Sequence, residues 1–135
     1  MSKHPIIVVA ALLAVLAASP VLAETEEDFA MCYKTLASQD YQRCILYCSV
    51  PADDEEIDPL VRSAAMSNRG ICNEFTGNLR RALEDQTDAI ELWEGNASAY
   101  ANRSFLFVKT GELGHAKKDA SRARELDPSC RIPEF

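Results

Sequence analysis

The polarity of the chain changes abruptly near residue 24. Behind Lys3 and His4, residues 6–18 form an unbroken apolar run; Ser19-Pro20-Val21-Leu22-Ala23 follows, and an acidic stretch opens at Glu24. Beyond it the apolar positions are spaced differently. Ala116, Ala120 and Ala123 recur three or four residues apart, which places them on one face of an α-helix, where small side chains let a second helix approach closely. Gly111 precedes this helix and is free to take the left-handed conformation that ends an earlier one, while Pro128 stops the helix at its far end. The pattern predicts a helical hairpin.

The hairpin is repeated. Residues 63–96 and 97–130 align without a gap at an offset of 34, so that Ala65 matches Ala99, Asn68-Arg69 matches Asn102-Arg103, Gly77 matches Gly111, Leu79 matches Leu113, Ala82 matches Ala116, Asp85 matches Asp119, Ala89 matches Ala123 and Glu91-Leu92 matches Glu125-Leu126. A degenerate copy over residues 25–58 precedes these two at an offset of 38, with Cys32 in the place of Gly70, Asp40-Tyr41 in that of Asn78-Leu79 and Cys44 in that of Ala82. The larger offset predicts a longer connection, the acidic segment Pro51-Ala52-Asp53-Asp54-Glu55-Glu56, which breaks the helix at its start. Three units are the usual minimum for a stable stack. Trp93-Glu94-Gly95 replaces Asp-Pro at the end of the first full copy, which predicts a looser turn there with Trp93 packed beneath it.

In both length and content the unit resembles the tetratricopeptide repeat. Tyr100 opens the first helix, Ser104 takes its small-residue place, Phe107 its later aromatic place, and Leu126-Asp127-Pro128 closes the unit. The resemblance implies an all-α fold, an α-α superhelix (solenoid) of two clear repeats and one degenerate one. It also implies a binding module without catalysis, in which the first helices of successive hairpins line a groove for an extended peptide or a partner's helix. Carried over position by position, the groove would comprise Ser67, Asn68, Ile71, Glu74 and Phe75 with Ala101, Asn102, Phe105, Val108 and Lys109. The two asparagines stand out because a side-chain amide offers both donor and acceptor to a peptide backbone. They serve equally well to satisfy neighbouring helix groups. Arg69 and Arg103 stand where the family more often has leucine, which points to carboxylate recognition by forked hydrogen bonds. The lysines that build the family's clamp for a terminal carboxylate are mostly absent.

The N-terminal pattern changes the setting. A cationic start, an apolar run shorter than the roughly 20 residues of a membrane span, and small residues at Val21 and Ala23 read as a secretory signal peptide over residues 1–23, with the mature domain at 24–135. The protein is then periplasmic or secreted, its partner a peptide segment or helix of an envelope protein. The formal charge of −7 becomes one unit more negative when Lys3 leaves, and no Lys/Arg cluster stands out, which argues against nucleic acid and anionic lipid as partners.

All five cysteines lie in the mature part of a protein sent to an oxidising compartment, so disulfides are expected. The resemblance implies Cys32–Cys44, joining positions where the family's helices pack closest, and Cys48–Cys72 as a second bridge; four cysteines allow three connectivities. Cys44 and Cys48, with Cys32 or Cys72, also offer thiolates to a soft metal or to redox exchange, the competing reading. Cys130 remains, either free, in a mixed disulfide, or linking a second chain into a homodimer. His115 reads as a surface residue, and Asp85, Asp88 and Glu91 as a solvated helix face. No zinc motif, phosphate loop or catalytic signature appears, so neither cofactor nor metal is expected. With only Ser129 to Phe135 after Pro128, no capping helix is predicted: Ile132 and Phe135 fold back over the last hairpin, or that surface meets another chain.

Overall fold

The computed structural model describes the backbone of residues 20–135 and the side chains from Glu26 onward. The signal-peptide reading of residues 1–19 lies outside the described residues. Among the described residues six helices follow one another: α1 (Pro20–Ala37), α2 (Tyr41–Asp53), α3 (Pro59–Phe75), α4 (Leu79–Leu92), α5 (Ala97–Thr110) and α6 (Leu113–Leu126). They pair as hairpins α1/α2, α3/α4 and α5/α6. The first helices also meet one another, α1 with α3 and α3 with α5, and form the inner layer of the stack.

Each hairpin turns through the same backbone motif. Asp40 N–H donates to Thr35 O at 2.9 Å, Asn78 N–H to Asn73 O at 2.8 Å and Glu112 N–H to Phe107 O at 2.8 Å, six-residue closures that leave one residue left-handed. That residue is Gly77 (φ 85°) or Gly111 (φ 82°) in the full repeats and Gln39 (φ 63°) in the degenerate one. Asp40 and Asn78 then cap α2 and α4 by accepting from Arg43 N–H and Arg81 N–H.

Of two expectations about the first connection, one is corrected and one refined. Pro51 does not break α2, which continues through it to Asp53. Proline in the last turn forfeits one backbone bond, and the continuation buries Ala52 against Phe29, Val61, Ala64 and Ala65. The four additional residues add only one residue to the loop, 54–58 against 93–96; chiefly they lengthen α3 by a turn at its start. Asp58 accepts from Leu60 N–H at 2.8 Å and Pro59 occupies the first turn, a pairing that starts a helix early.

The turn at Trp93 is not loose. Buried Asn96 accepts from Ala99 N–H at 3.0 Å to cap α5, its Nδ2 donates to Ser63 Oγ at 2.8 Å, and Ser63 Oγ donates to Ala89 O at 2.7 Å, so one chain of bonds ties α3, α4 and α5. Trp93 lies over Gly95, where a Cβ would meet the indole at 2.8 Å, and stays 36 % exposed.

The C-terminal residues continue the repeat register. Cys130 falls where Asn96 stands one unit earlier, and its N–H donates to Asp127 O at 3.0 Å as Asn96 N–H donates to Trp93 O at 3.1 Å. The hydrogen-bonded link through Ser63, the Ala89 carbonyl and Asn96 is replaced there by apolar contact among Ala97, Ala123 and Cys130, sealed by Ile132. Both tail residues expected to fold back reach the last hairpin: Ile132 packs into its core, and Phe135, though 56 % exposed, lies beside α6 with Lys117 Nζ 5.8 Å from its ring centroid. The polar end face expected to be missing is carried by α6 itself, where exposed Lys117 and Arg124 occupy the places of Leu83 and buried Ile90 in α4. Linking a second chain through Cys130 would require lifting this tail, because the thiol is 2 % exposed.

A left-handed non-glycine residue costs about 1–2 kcal/mol, partly offset by the entropy a glycine loses on folding, so Gln39→Gly is expected to stabilise the fold by about 0.5–1 kcal/mol in thermal or denaturant melts. Desolvation, and secondarily Asp127, raises the Cys130 thiol above its ordinary value. At neutral pH a maleimide should therefore label it slowly in the folded protein and about tenfold or more faster in Ile132→Asp, where the tail is loosened; equal rates would place the thiol at the surface.

Candidate functional site

The four cysteines Cys32, Cys44, Cys48 and Cys72 converge from α1, α2 and α3 into one fully buried cluster with Leu36, packed by Tyr41, Ile45, Tyr47 and Ile71. The predicted pairing is corrected. Cys32 and Cys48 are in bonding position, with Cα atoms 4.6 Å apart, and so are Cys44 and Cys72, at 6.2 Å. In an antiparallel hairpin, residues at equal distance from the turn lie at equal depth. Cys32 and Cys48 are equidistant from Asp40, whereas Cys44 sits a turn too near it and faces α3 instead. The same relation joins Gly70 to Gln86 in the next unit, where a Cβ on Gly70 would meet Gln86 Nε2 at 2.6 Å. The two sulfur pairs touch, Cys44 Sγ lying 3.6 Å from Cys48 Sγ.

The inner face of α3 adjoins this cluster through Asn68 and Ile71, and α5 packs beside α3. Helical spacing aligns Asn68, Ile71 and Phe75 on α3, and Asn102, Phe105 and Val108 on α5. Phe75 stacks on Tyr41 with ring centroids 4.6 Å apart and planes 7° from parallel, yet remains 42 % exposed; Val108 is 38 % exposed. Ile71, Phe105, Asn68 and Asn102 are half-buried. Each asparagine leans on the preceding hairpin: Asn102 Nδ2 donates to Ser67 Oγ at 3.3 Å, and Asn68 Nδ2 lies 3.8 Å from Cys32 Sγ. One amide N–H is thereby spent on the stack. Asn102 Oδ1 accepts no hydrogen bond among the described residues. Lys109 and Glu74 form an ion pair from α5 to α3, with the Glu74 side chain nearly buried.

Two residues assigned to the groove lie in the interior. Ser67 donates to Gln86 Oε1 at 2.8 Å, and Gln86 Nε2 returns a bond to Ser67 O at 2.9 Å. Ala101 packs on Ala123 and Cys130. Arg69 and Arg103 do not present their forks to the groove, as their type suggested; each grips a buried carboxylate of its own hairpin. Arg69 Nε and Nη2 donate to Asp85 at 3.0 and 2.8 Å, and Arg103 Nε and Nη2 donate to Asp119 at 2.7 and 3.0 Å. The remaining nitrogen reaches the preceding hairpin, from Arg69 to Asp53 at 2.9 Å and from Arg103 to Thr87 at 3.2 Å. Burial disfavours the Arg69 cation, but the hydrogen bonds and charges of Asp85 and Asp53 outweigh it and hold its pKa above the ordinary value. Asp85 is thus a core residue; Asp88 and Glu91 are exposed, as a solvated face requires. Sequence reasoning missed these pairs although the signal was present, since Arg69 with Asp85 and Arg103 with Asp119 recur together in the repeat.

His115 is exposed, its ring edge-on to Phe107 at 5.1 Å and its Nδ1 3.4 Å from Glu112. Among the described residues no group of three or more His, Cys, Asp or Glu is arranged to hold a metal ion, and no helix is long and apolar enough to cross a membrane.

No model of a known protein family matches the chain. Over 78 residues, 57 % of its length, it is 35 % identical to the serine/threonine-protein phosphatase 5 of Mus musculus, of which it spans 16 %. Among solved structures it is similar to the first TPR of Spaghetti (RPAP3) bound to the HSP90 peptide SRMEEVD, with a TM-score of 0.69, 21 % identity, and coverage of 80 % of this chain and 82 % of that one. It is also similar to the Hsp90 co-chaperone Cns1 from Saccharomyces cerevisiae, with a TM-score of 0.72 and 21 % identity over 84 % of this chain and 37 % of that one. Three hairpins closed by the same turn, an inner layer of first helices and these neighbours together give the chain the all-α tetratricopeptide-repeat fold.

Proposed function

We propose that this protein is a non-enzymatic adaptor of the periplasm or the secreted space, holding a peptide segment or helix of an envelope protein on the inner face of α3 and α5. The observation that carries the reading is the juxtaposition of Asn68 and Asn102 with the partly exposed Phe75, Phe105 and Val108 on adjoining helices. Backbone-directed amides beside apolar side chains suit an extended segment, with the amides fixing its path and the apolar groups supplying affinity. The RPAP3 domain, of the same fold, has a peptide bound in its solved structure, which supports peptide binding as a use of this fold.

The buried, paired cysteines suit an exported protein. In an oxidising compartment the cysteine cluster closes as two disulfides, one within the first hairpin and one fastening α2 to α3, each stabilising by about 2–4 kcal/mol. The convergence of four sulfurs is also the observation behind the second reading, thiol or soft-metal chemistry. Their pairing and full burial oppose it.

A pull-down from envelope extract with the mature domain should capture a protein that Asn68→Ala, Asn102→Ala, Phe105→Ala loses while keeping its helicity. Capture of the same partner by parent and variant alike would remove the inner face from consideration. A peptide map of the exported protein without reductant should give Cys32 linked to Cys48 and Cys44 linked to Cys72. Free thiols or a bound metal at these positions would instead favour the carrier.

A further inference from the structure

The proposed binding face contains hydrogen-bonding and apolar groups, but its cations are committed elsewhere. Lys109, the one cation among the inner-face residues assigned on α3 and α5, is paired with Glu74, which descends from α3 into a nearly buried position. Arg69 and Arg103 start from the same helices and are turned onto Asp85 and Asp119 inside their own hairpins, with Asp53 and Thr87 taking up the last donors. A carboxylate arriving on the face would therefore meet a lysine whose charge a nearly buried glutamate already offsets, and arginines whose donors are taken. It would also approach a mature domain one unit more negative than the formal −7 of the whole chain, whose acidic residues include the sequence Asp53-Asp54-Glu55-Glu56.

Resting on the peptide-binding reading above, we infer that the face selects an internal apolar segment of its partner, flanked by neutral or basic residues, and does not read a carboxyl terminus. The apolar side chains lie over Ile71, Phe75, Phe105 and Val108, and Asn68 and Asn102 hold the backbone between them. Charge complementarity sets the flanks. Basic residues on either side are drawn to the acidic surface, and acidic ones are repelled without a cation to receive them. Glu74 is the residue that sets this preference, because it neutralises the lysine an acid would otherwise use.

The test begins with displayed peptide libraries, one presenting random segments internally and one presenting them with a free carboxyl terminus, selected on the oxidised mature protein. Enriched segments are resynthesised with paired lysine, serine or glutamate flanks, each as the free acid and the amide, and titrated by fluorescence anisotropy. The expected result is enrichment of apolar cores from the internal library. Glutamate flanks should weaken binding by about fivefold or more relative to lysine flanks at low salt, with the difference shrinking as salt is raised, and amidation should change affinity by less than about twofold. Glu74→Gln should release Lys109 and recover most of the loss for the acidic peptides. Tightest binding by an acidic free-carboxyl peptide, or no change of preference in Glu74→Gln, overturns the inference while leaving a peptide-binding face intact. Peptides that bind the Asn68→Ala, Asn102→Ala, Phe105→Ala variant as well as the parent overturn the binding face itself, and this inference with it.

Discussion

Two helices cross at short range only where neither presents a bulky side chain. Everything else in this molecule is arranged around that requirement. Ala65, Ala82, Ala89, Ala99, Ala116 and Ala123 are wholly buried at such crossings, and they bring little apolar volume with them. A core built from alanines buries less hydrocarbon than one built from leucines, so close backbone approach comes at the expense of hydrophobic stabilisation. The deficit is met by directional bonds. Ser63, Asn96 and the Ala89 carbonyl join the second hairpin to the third, and the Ser67–Gln86 exchange ties α3 to α4 beside Gly70.

The charged pairs follow the same logic at the edge of the core. Asp85 and Asp119 are buried, a cost that a carboxylate recovers only when its hydrogen-bonding capacity is filled. A guanidinium fork fills it and still has a nitrogen left for the hairpin before. The result is a tie that works in two directions, across one hairpin and along the stack. It explains why arginine occupies a place where an apolar residue would serve a single unit just as well. In the first hairpin, where Met31 stands at the arginine position, the cysteine cluster takes over this role.

The sequence made the hairpins visible because their determinants are local: Gly77 and Gly111 at the left-handed turn, the 34-residue period, and Leu126-Asp127-Pro128 at the close. What stayed hidden depends on depth and orientation across helices. The cysteine partners follow from the distance of each from Asp40, which only a folded hairpin converts into a contact. Arg69 and Asp85 lie on different helices, so neither residue alone discloses the other. The excess residues of the first connection were a different kind of miss, since Asp58-Pro59 is itself a local helix start. Of the candidate site, the asparagines and aromatics lie on the inner face, while Ser67 and Ala101 sit at helical positions that neighbouring helices cover.

The C-terminal residues do more than cover an end. By reproducing the backbone turn that opens the third hairpin, with Cys130 in the position of Asn96 and Ile132 in that of Ser98, they fill beside α5 and α6 the place that Asn96 fills beside α3 and α4, with apolar contact instead of hydrogen bonds. The register is therefore unbroken from the second hairpin to the tail. One further 34-residue unit inserted in this register would meet the same turns and crossings on either side, so the reach of the inner face can change by duplication without any new solution to folding.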